Sequence, residues 1–156
     1  MAEEHAAETA APLSPEERRT LYNKTVREAV LRKLLLESVN FNVDRARLMD
    51  AKERSLRLDG QVSKFDIIES SSICVVGVKW RAEIKDGRKV VARCVADYTV
   101  VYSGFTEINR EVMLIFADNI ARSATFAYFR ALFSSLDWAA ELRLPPLPMF
   151  KAFPKV

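Results

Sequence analysis

Catalysis needs groups that can donate, accept or attack, and this chain offers few of them in useful company. The single histidine, His5, lies in the polar opening MAEEHAAETAAP, so neither a histidine-based triad nor a histidine-rich metal site can be built. The two cysteines, Cys74 and Cys94, stand twenty residues apart. They are too few for a thiolate zinc cage, and they read as buried free thiols. Ser70, Ser71 and Ser72 have no base near them in sequence; a nucleophile needs one, so they read as a polar bend. Asp97 beside Tyr98, and Glu83 near Asp86, supply carboxylates for acid–base work. Their spacing suits a solvated sheet face and a turn better. None of the four glycines, at 60, 77, 87 and 104, builds a G-x-G-x-x-G or a P-loop. The expectation is no metal, no cofactor and no enzyme: the chemistry of this chain is binding.

Groups that could bind an apolar ligand are plentiful. Half of the 156 residues are hydrophobic (49%) and 29% are charged, a soluble composition with enough apolar surface for one ordinary core. No run of 18 apolar residues is present, so no membrane span is expected. The acidic, alanine-rich start lacks the basic and apolar parts of a signal peptide, which points to the cytoplasm. Net charge is +3, too small to imply nucleic acid by itself. The excess is local: residues 18–57 hold eleven Lys/Arg against five Asp/Glu.

The elements that must position these groups follow from periodicity. Residues 1–13 read as a disordered tail and 14–156 as one domain. Ser14-Pro15-Glu16-Glu17 carries a capping box with proline at the first helical position, predicting a helix to about Arg32. Its thin stripe of Leu21, Tyr22, Val26 and Val30 is that of a helix lying on its own domain; a partner-binding helix is the alternative. Val39, Phe41 and Val43 alternate with polar residues, predicting a strand. Residues 44–56 read as a charged connection with a helical turn. Leu56, Leu58, Val62, Phe65, Ile67 and Ile68 make a less regular strand, broken near Gly60.

Ile73 to Ser103 is a hairpin about Asp86-Gly87, the strongest short-range signal of that kind. A two-residue loop at Asp86-Gly87 gives partners that sum to 173. Val76, Val78, Trp80, Ala82 and Ile84 then share a face with Val91 and Val95. Ala92, Ala96 and Tyr98 take the other, and Cys74 and Cys94 point apart. Beyond Gly104 the pattern turns helical, over 107–117 and again over 118 to about 138. Phe126, Phe129, Phe133 and Leu136 form one stripe, and Ala121, Ala124, Tyr128 and Leu132 a second. A helix apolar on most sides must be covered on most sides. The sheet covers one face and a second copy of the chain is the simplest cover for the other, so Phe126, Tyr128, Phe129, Leu132 and Phe133 are the expected oligomer interface. The N-terminal helix is the alternative cover. Last comes a proline-rich segment, 142–154, stiff and yet apolar: a lid on the core or one wall of a groove.

In this order the chain resembles the SecB family of export chaperones. The resemblance rests on Val39-Asn40-Phe41, on Ser55-Leu56-Arg57-Leu58-Asp59, and on the hairpin ending Tyr102-Ser103-Gly104-Phe105. Further along it rests on Asp118-Asn119-Ile120, Phe126-Ala127-Tyr128-Phe129-Arg130 and Leu142-Arg143-Leu144-Pro145-Pro146. It spans roughly residues 34–153. It implies an α+β fold, a four-stranded antiparallel sheet with C-terminal helices on one face. It further implies a homotetramer built as a dimer of dimers, with the long helices between the sheets. The implied activity is ATP-independent holding of unfolded polypeptides in apolar grooves. The chain departs from the family in being basic and in its extra N-terminal helix. Basic solitary relatives serve other clients, such as antitoxins, so the expected clients are preproteins or an antitoxin-like protein.

The expected client-binding residues are Leu56, Leu58, Phe65 and Trp80 on one wall and Leu144, Leu147, Met149, Phe150 and Phe153 on the other. The family's contact with the SecA motor uses an acidic sheet surface. The matching positions here are Ser38, Asn42 and Arg93, two neutral and one basic, so docking on SecA is not expected. Two other classes of function remain open: a small-ligand protein or enzyme with Asp97 and Tyr98 in a cavity between sheet and helix, and a nucleic-acid-associated protein using residues 18–57.

Overall fold

A computed structural model describes residues 13–149. The chain opens with helix α1 (Pro15–Glu28), held by the predicted capping box. The Glu17 backbone N–H donates to the Ser14 hydroxyl at 3.3 Å, and the Ser14 backbone N–H donates back to the Glu17 carboxylate at 2.9 Å. α1 stops short of Arg32 because Val30 already starts strand β1 (Val30–Val43). It lies on its own chain, with Leu21, Tyr22 and Thr25 buried against helix α3 (Arg110–Phe116). Gly104, at φ 96°, is where the end of α1 meets the end of the last strand; a Cβ there would stand 2.7 Å from the Glu28 carbonyl oxygen.

Between β1 and strand β2 (Arg54–Ile68) the charged connection contains the short helix α2 (Arg45–Asp50), capped by Asp44 and anchored by the buried Leu48. A turn of 3₁₀ helix at Glu69–Ser71 leads to strands β3 (Ile73–Asp86) and β4 (Lys89–Ser103). The four strands form one antiparallel sheet in the order β1-β4-β3-β2. β2 is not broken at Gly60. That glycine pairs with Trp80, and a Cβ on it would fall 2.2 Å from the indole, so the missing side chain is the room the indole occupies. The irregularity lies at Ser63, where the register shifts between Val62 and Lys64.

The hairpin loop is Gly87-Arg88, one residue later than the sequence suggests, with Asp86 paired to Lys89 and positive φ at Gly87 alone (56°). Val91 is then an extra residue in β4, since Lys85 pairs with Val90 and Ile84 with Ala92. This bulge reverses the expected parity. Cys74, Val76, Val78, Trp80, Ala82 and Ile84 share the buried face with Ala92, Cys94, Ala96, Tyr98, Val100 and Tyr102. Cys74 and Cys94 therefore point the same way. They are free because Cys74 lies opposite Tyr102 and Cys94 opposite Ala82, at opposite ends of the hairpin. Burial pushes both thiols up to about 11.

On that face lie α3, a π-helical turn at Ala117–Ala121 and the long helix α4 (Arg122–Ala140). Phe126 and Phe129 place their rings 4.8 and 5.9 Å from that of Trp80, and Phe133 follows Phe129 at 6.4 Å. The Trp80 indole N–H donates to the Thr125 hydroxyl at 2.9 Å. Among the described residues no helix is long and apolar enough to cross a membrane.

Candidate functional site

One cavity, of about 770 Å³, lies where α2, the start of β2 and the end of α4 converge. From α2 come Arg45, Leu48 and Met49; from β2 comes Arg54; from α4 come Asp137 and Trp138. Glu141, Leu142 and Arg143 close it from the segment that follows. Trp138 and Met49 are 86% and 83% exposed, the two most exposed large apolar side chains among the described residues. Both open into this one space.

The local sequence explains why the walls hold their shape. Leu48 is buried, so the next residue of α2, Met49, is turned outward. Arg45 donates to the Ala140 carbonyl at 2.6 Å and ties α2 to the end of α4, while Arg54 donates to the Leu48 carbonyl at 2.7 Å. Both guanidiniums sit at helix C-termini, where free carbonyls favour a cation. α4 ends at Glu141 in the left-handed region (φ 53°), and the Leu142 N–H returns to the Asp137 carbonyl at 3.2 Å. Arg143 also has φ 53°; the next N–H, of Leu144, donates to the Asp137 carboxylate at 2.9 Å. Leu144 and Leu147 are buried beneath. The proline-rich segment is thus pinned from below and presents Leu142 and Arg143 above.

The residues that the sequence pointed to are placed differently. Trp80 is 1% exposed and belongs to the core. Leu56, Leu58 and Phe65 are half-buried on the helix-bearing face of β2, with the Arg110 guanidinium 5.7 Å over the Phe65 ring. Met149 is exposed and accepts from Arg130 at 3.4 Å; Phe150 and Phe153 lie outside the described residues. None of the seven that are described lines the cavity. Of the expected interface residues, Phe126, Phe129 and Phe133 are buried under the sheet of their own chain, because the sheet takes the stripe with the largest side chains. Tyr128 is exposed on the other side of α4, while Leu132 is half-buried and packs against the core from the flank of the stripe. On the side of Tyr128, Ala127, Ala131, Ser134, Ser135 and Ala139 are also exposed, without a charge among them. β1, at the sheet edge, exposes Leu31, Leu36 and Val39 on the helix side.

Asp97 and Tyr98 do not form a site. Successive strand residues face opposite ways. Tyr98 is buried under the helices, its phenol pushed up to about 12 by burial, while Asp97 on the other face accepts from Ser38 at 2.9 Å and pairs with Lys79 at 3.4 Å. The basic stretch 18–57 is divided among α1, β1, α2 and β2, and several of its charges are paired: Arg18 with Glu111, Lys24 with Glu107, Arg47 with Asp44.

No protein-family model matches the sequence, and neither does any curated protein. Among solved structures the chain is similar to the SecB-like chaperone Rv1957 of Mycobacterium tuberculosis, solved in complex with a ChAD peptide from the Rv1956 HigA1 antitoxin. The identity is 19%, the match covers 85% of this chain and 96% of that one, and the TM-score is 0.67. A protein of unknown function from Streptococcus agalactiae matches at 10% identity over 80% of this chain and 97% of that one, with a TM-score of 0.36. The fold is SecB-like: an N-terminal helix, a four-stranded antiparallel sheet and a long C-terminal helix packed on it.

Proposed function

We propose that this protein is an ATP-independent chaperone that holds non-native polypeptide segments in the cavity between α2 and the end of α4. One observation carries the reading: two large apolar side chains, Trp138 and Met49, stand almost fully in water over one preformed space. A side chain so exposed gains nothing for folding, and it gains a great deal when an apolar segment covers it. Covering an indole removes some 150–250 Å² from water, roughly 4–6 kcal/mol before the cost of ordering the client. That is modest for one site. Broad, weak capture at several sites, multiplied by avidity, is what a holding chaperone uses. The SecB-like fold, and the antitoxin peptide held by Rv1957, support the same reading.

The assembly proposed is a homo-oligomer, a tetramer as in the SecB family. Two surfaces support it: the uncharged outer side of α4 around Tyr128, and the 14-residue edge strand β1 with its exposed Leu31, Leu36 and Val39. A long apolar edge left open invites strand pairing. Clients are preproteins or an antitoxin-like protein. Docking on SecA is not part of the proposal. Asn42 and Arg93 pair across β1 and β4, and Arg93 is bound to Glu83 at 2.9 Å, so these positions offer no acidic patch to a basic partner.

The test is suppression of aggregation of a chemically denatured model protein, without nucleotide, at substoichiometric to equimolar chain. Suppression that saturates near a fixed ratio and needs no ATP is expected. Unchanged aggregation at a tenfold excess would rule the function out.

A further inference from the structure

We propose that the cavity selects client segments carrying a carboxylate beside a bulky apolar side chain; this rests on the cavity being the client site. Arg45, Arg54 and Arg143 all line it, and none of the three forms an ion pair with a described residue. Arg45 and Arg54 each give one N–H to a carbonyl at the end of a helix. A guanidinium has five donors in a planar fork, so these bonds fix the head groups in place and leave most of each fork open. Arg143 is held where a residue with a side chain seldom sits, at φ 53°, by the Asp137–Leu144 bond and the buried leucines beyond it. An unfavourable backbone that the surroundings enforce is a feature of binding sites.

Two acids, Asp137 and Glu141, share the cavity and offset part of this charge, which leaves three arginines against two carboxylates. Asp137 has an oxygen committed to the Leu144 N–H, and Glu141 is an exposed rim residue. A client carboxylate meets preplaced forks and can be taken by two parallel bonds, the strongest form of this contact. A client lysine at the same place meets a lining of net positive charge. The apolar neighbour of the carboxylate covers Trp138 and Met49. An apolar groove without the arginines would take either charge alike.

The test uses fluorescently labelled, unstructured twelve-residue peptides with a common Leu-Phe centre flanked by Glu, by Gln or by Lys, titrated with the full chain at low and at high salt. The order Glu, Gln, Lys from tightest to weakest is expected, with about tenfold or more between the extremes at low salt. The gap should shrink at high salt. In the double variant Arg54→Gln, Arg143→Gln the Glu peptide should fall to the Gln level, and Arg143→Glu should reverse the order. Both positions are exposed, and the melting temperature of each variant verifies folding. Equal binding of the three peptides, abolished in Trp138→Ala, would overturn the charge selection and leave the client site standing. Tightest binding of the Lys peptide would overturn it as well. Suppression of aggregation with no binding of any peptide would overturn the placement of the site and the selection together.

Discussion

Trp80 and Trp138 are the chain's two tryptophans, and they occupy opposite environments: 1% and 86% exposed. Trp80 has its N–H satisfied by Thr125, two phenylalanine rings against it and a glycine opposite to admit it. Trp138 has none of this. It stands on the far side of α4 from Phe129, nine residues and about 180° away at ~100° per residue. One helix thus has two apolar sides with different fates, one used by the fold and one left open.

The contrast is broken most severely on the buried side. Trp80→Ala should cost about 3–5 kcal/mol of stability, enough to leave much of the chain unfolded, as read by chemical denaturation. Phe129→Asp should do the same, since it buries an unpaired charge, whereas Tyr128→Asp on the outer side should leave the fold intact and dissociate the assembly in light scattering. A stable, smaller Phe129→Asp species would mean that the phenylalanine stripe is an interface after all. Gly60→Ala should cost about 1–3 kcal/mol, because the new methyl enters the space of the Trp80 ring; an unchanged melting temperature would show that the ring can move aside. Trp138→Ala and Met49→Ser should change stability by no more than about 0.5 kcal/mol while weakening client holding. Loss of both properties together would make these residues structural.

The smallest effect is expected far from the cavity. Hydrogen bonds from the Thr106 backbone and hydroxyl hold the Glu28 carboxyl below its usual range. A depressed carboxyl stabilises above its unfolded pKa and loses that contribution as pH falls through its folded value. The anchoring of α1 should therefore weaken only below the ordinary glutamate range, seen as faster amide exchange in α1. Glu28→Gln should show the faster exchange at neutral pH as well.

Much of this architecture is written in local sequence. The Ser14–Glu17 box, the alternation of Val39, Phe41 and Val43, the Asp-Gly hairpin and the phenylalanine stripe each carry their own periodic or capping signal. What escaped is where single residues interrupt a period. β1 bulges at Arg32 and Glu37 hide its first half, so Val30–Leu36 does not alternate on paper. The Val91 bulge exchanges the two faces of β4 relative to a simple hairpin. The cavity escaped for a different reason. It is assembled from two distant segments, 45–54 and 137–143, and a solitary Leu48-Met49 pair in a charged connection gives no period at all. Trp138 did leave a signal, its position opposite the phenylalanine stripe, but a sheet-side aromatic such as Trp80 looks the same in composition. Only the register shows which tryptophan is enclosed.

Holding of non-native chains over Trp138 is read by fluorescence with a tryptophan-free unfolded client. Trp80 is enclosed throughout and contributes a constant background, so any change reports on Trp138. A saturable blue shift is expected on adding client, without ATP, over the same concentrations at which aggregation is suppressed, and no shift in Trp138→Phe. Full suppression of aggregation with no change in emission would contradict holding at Trp138.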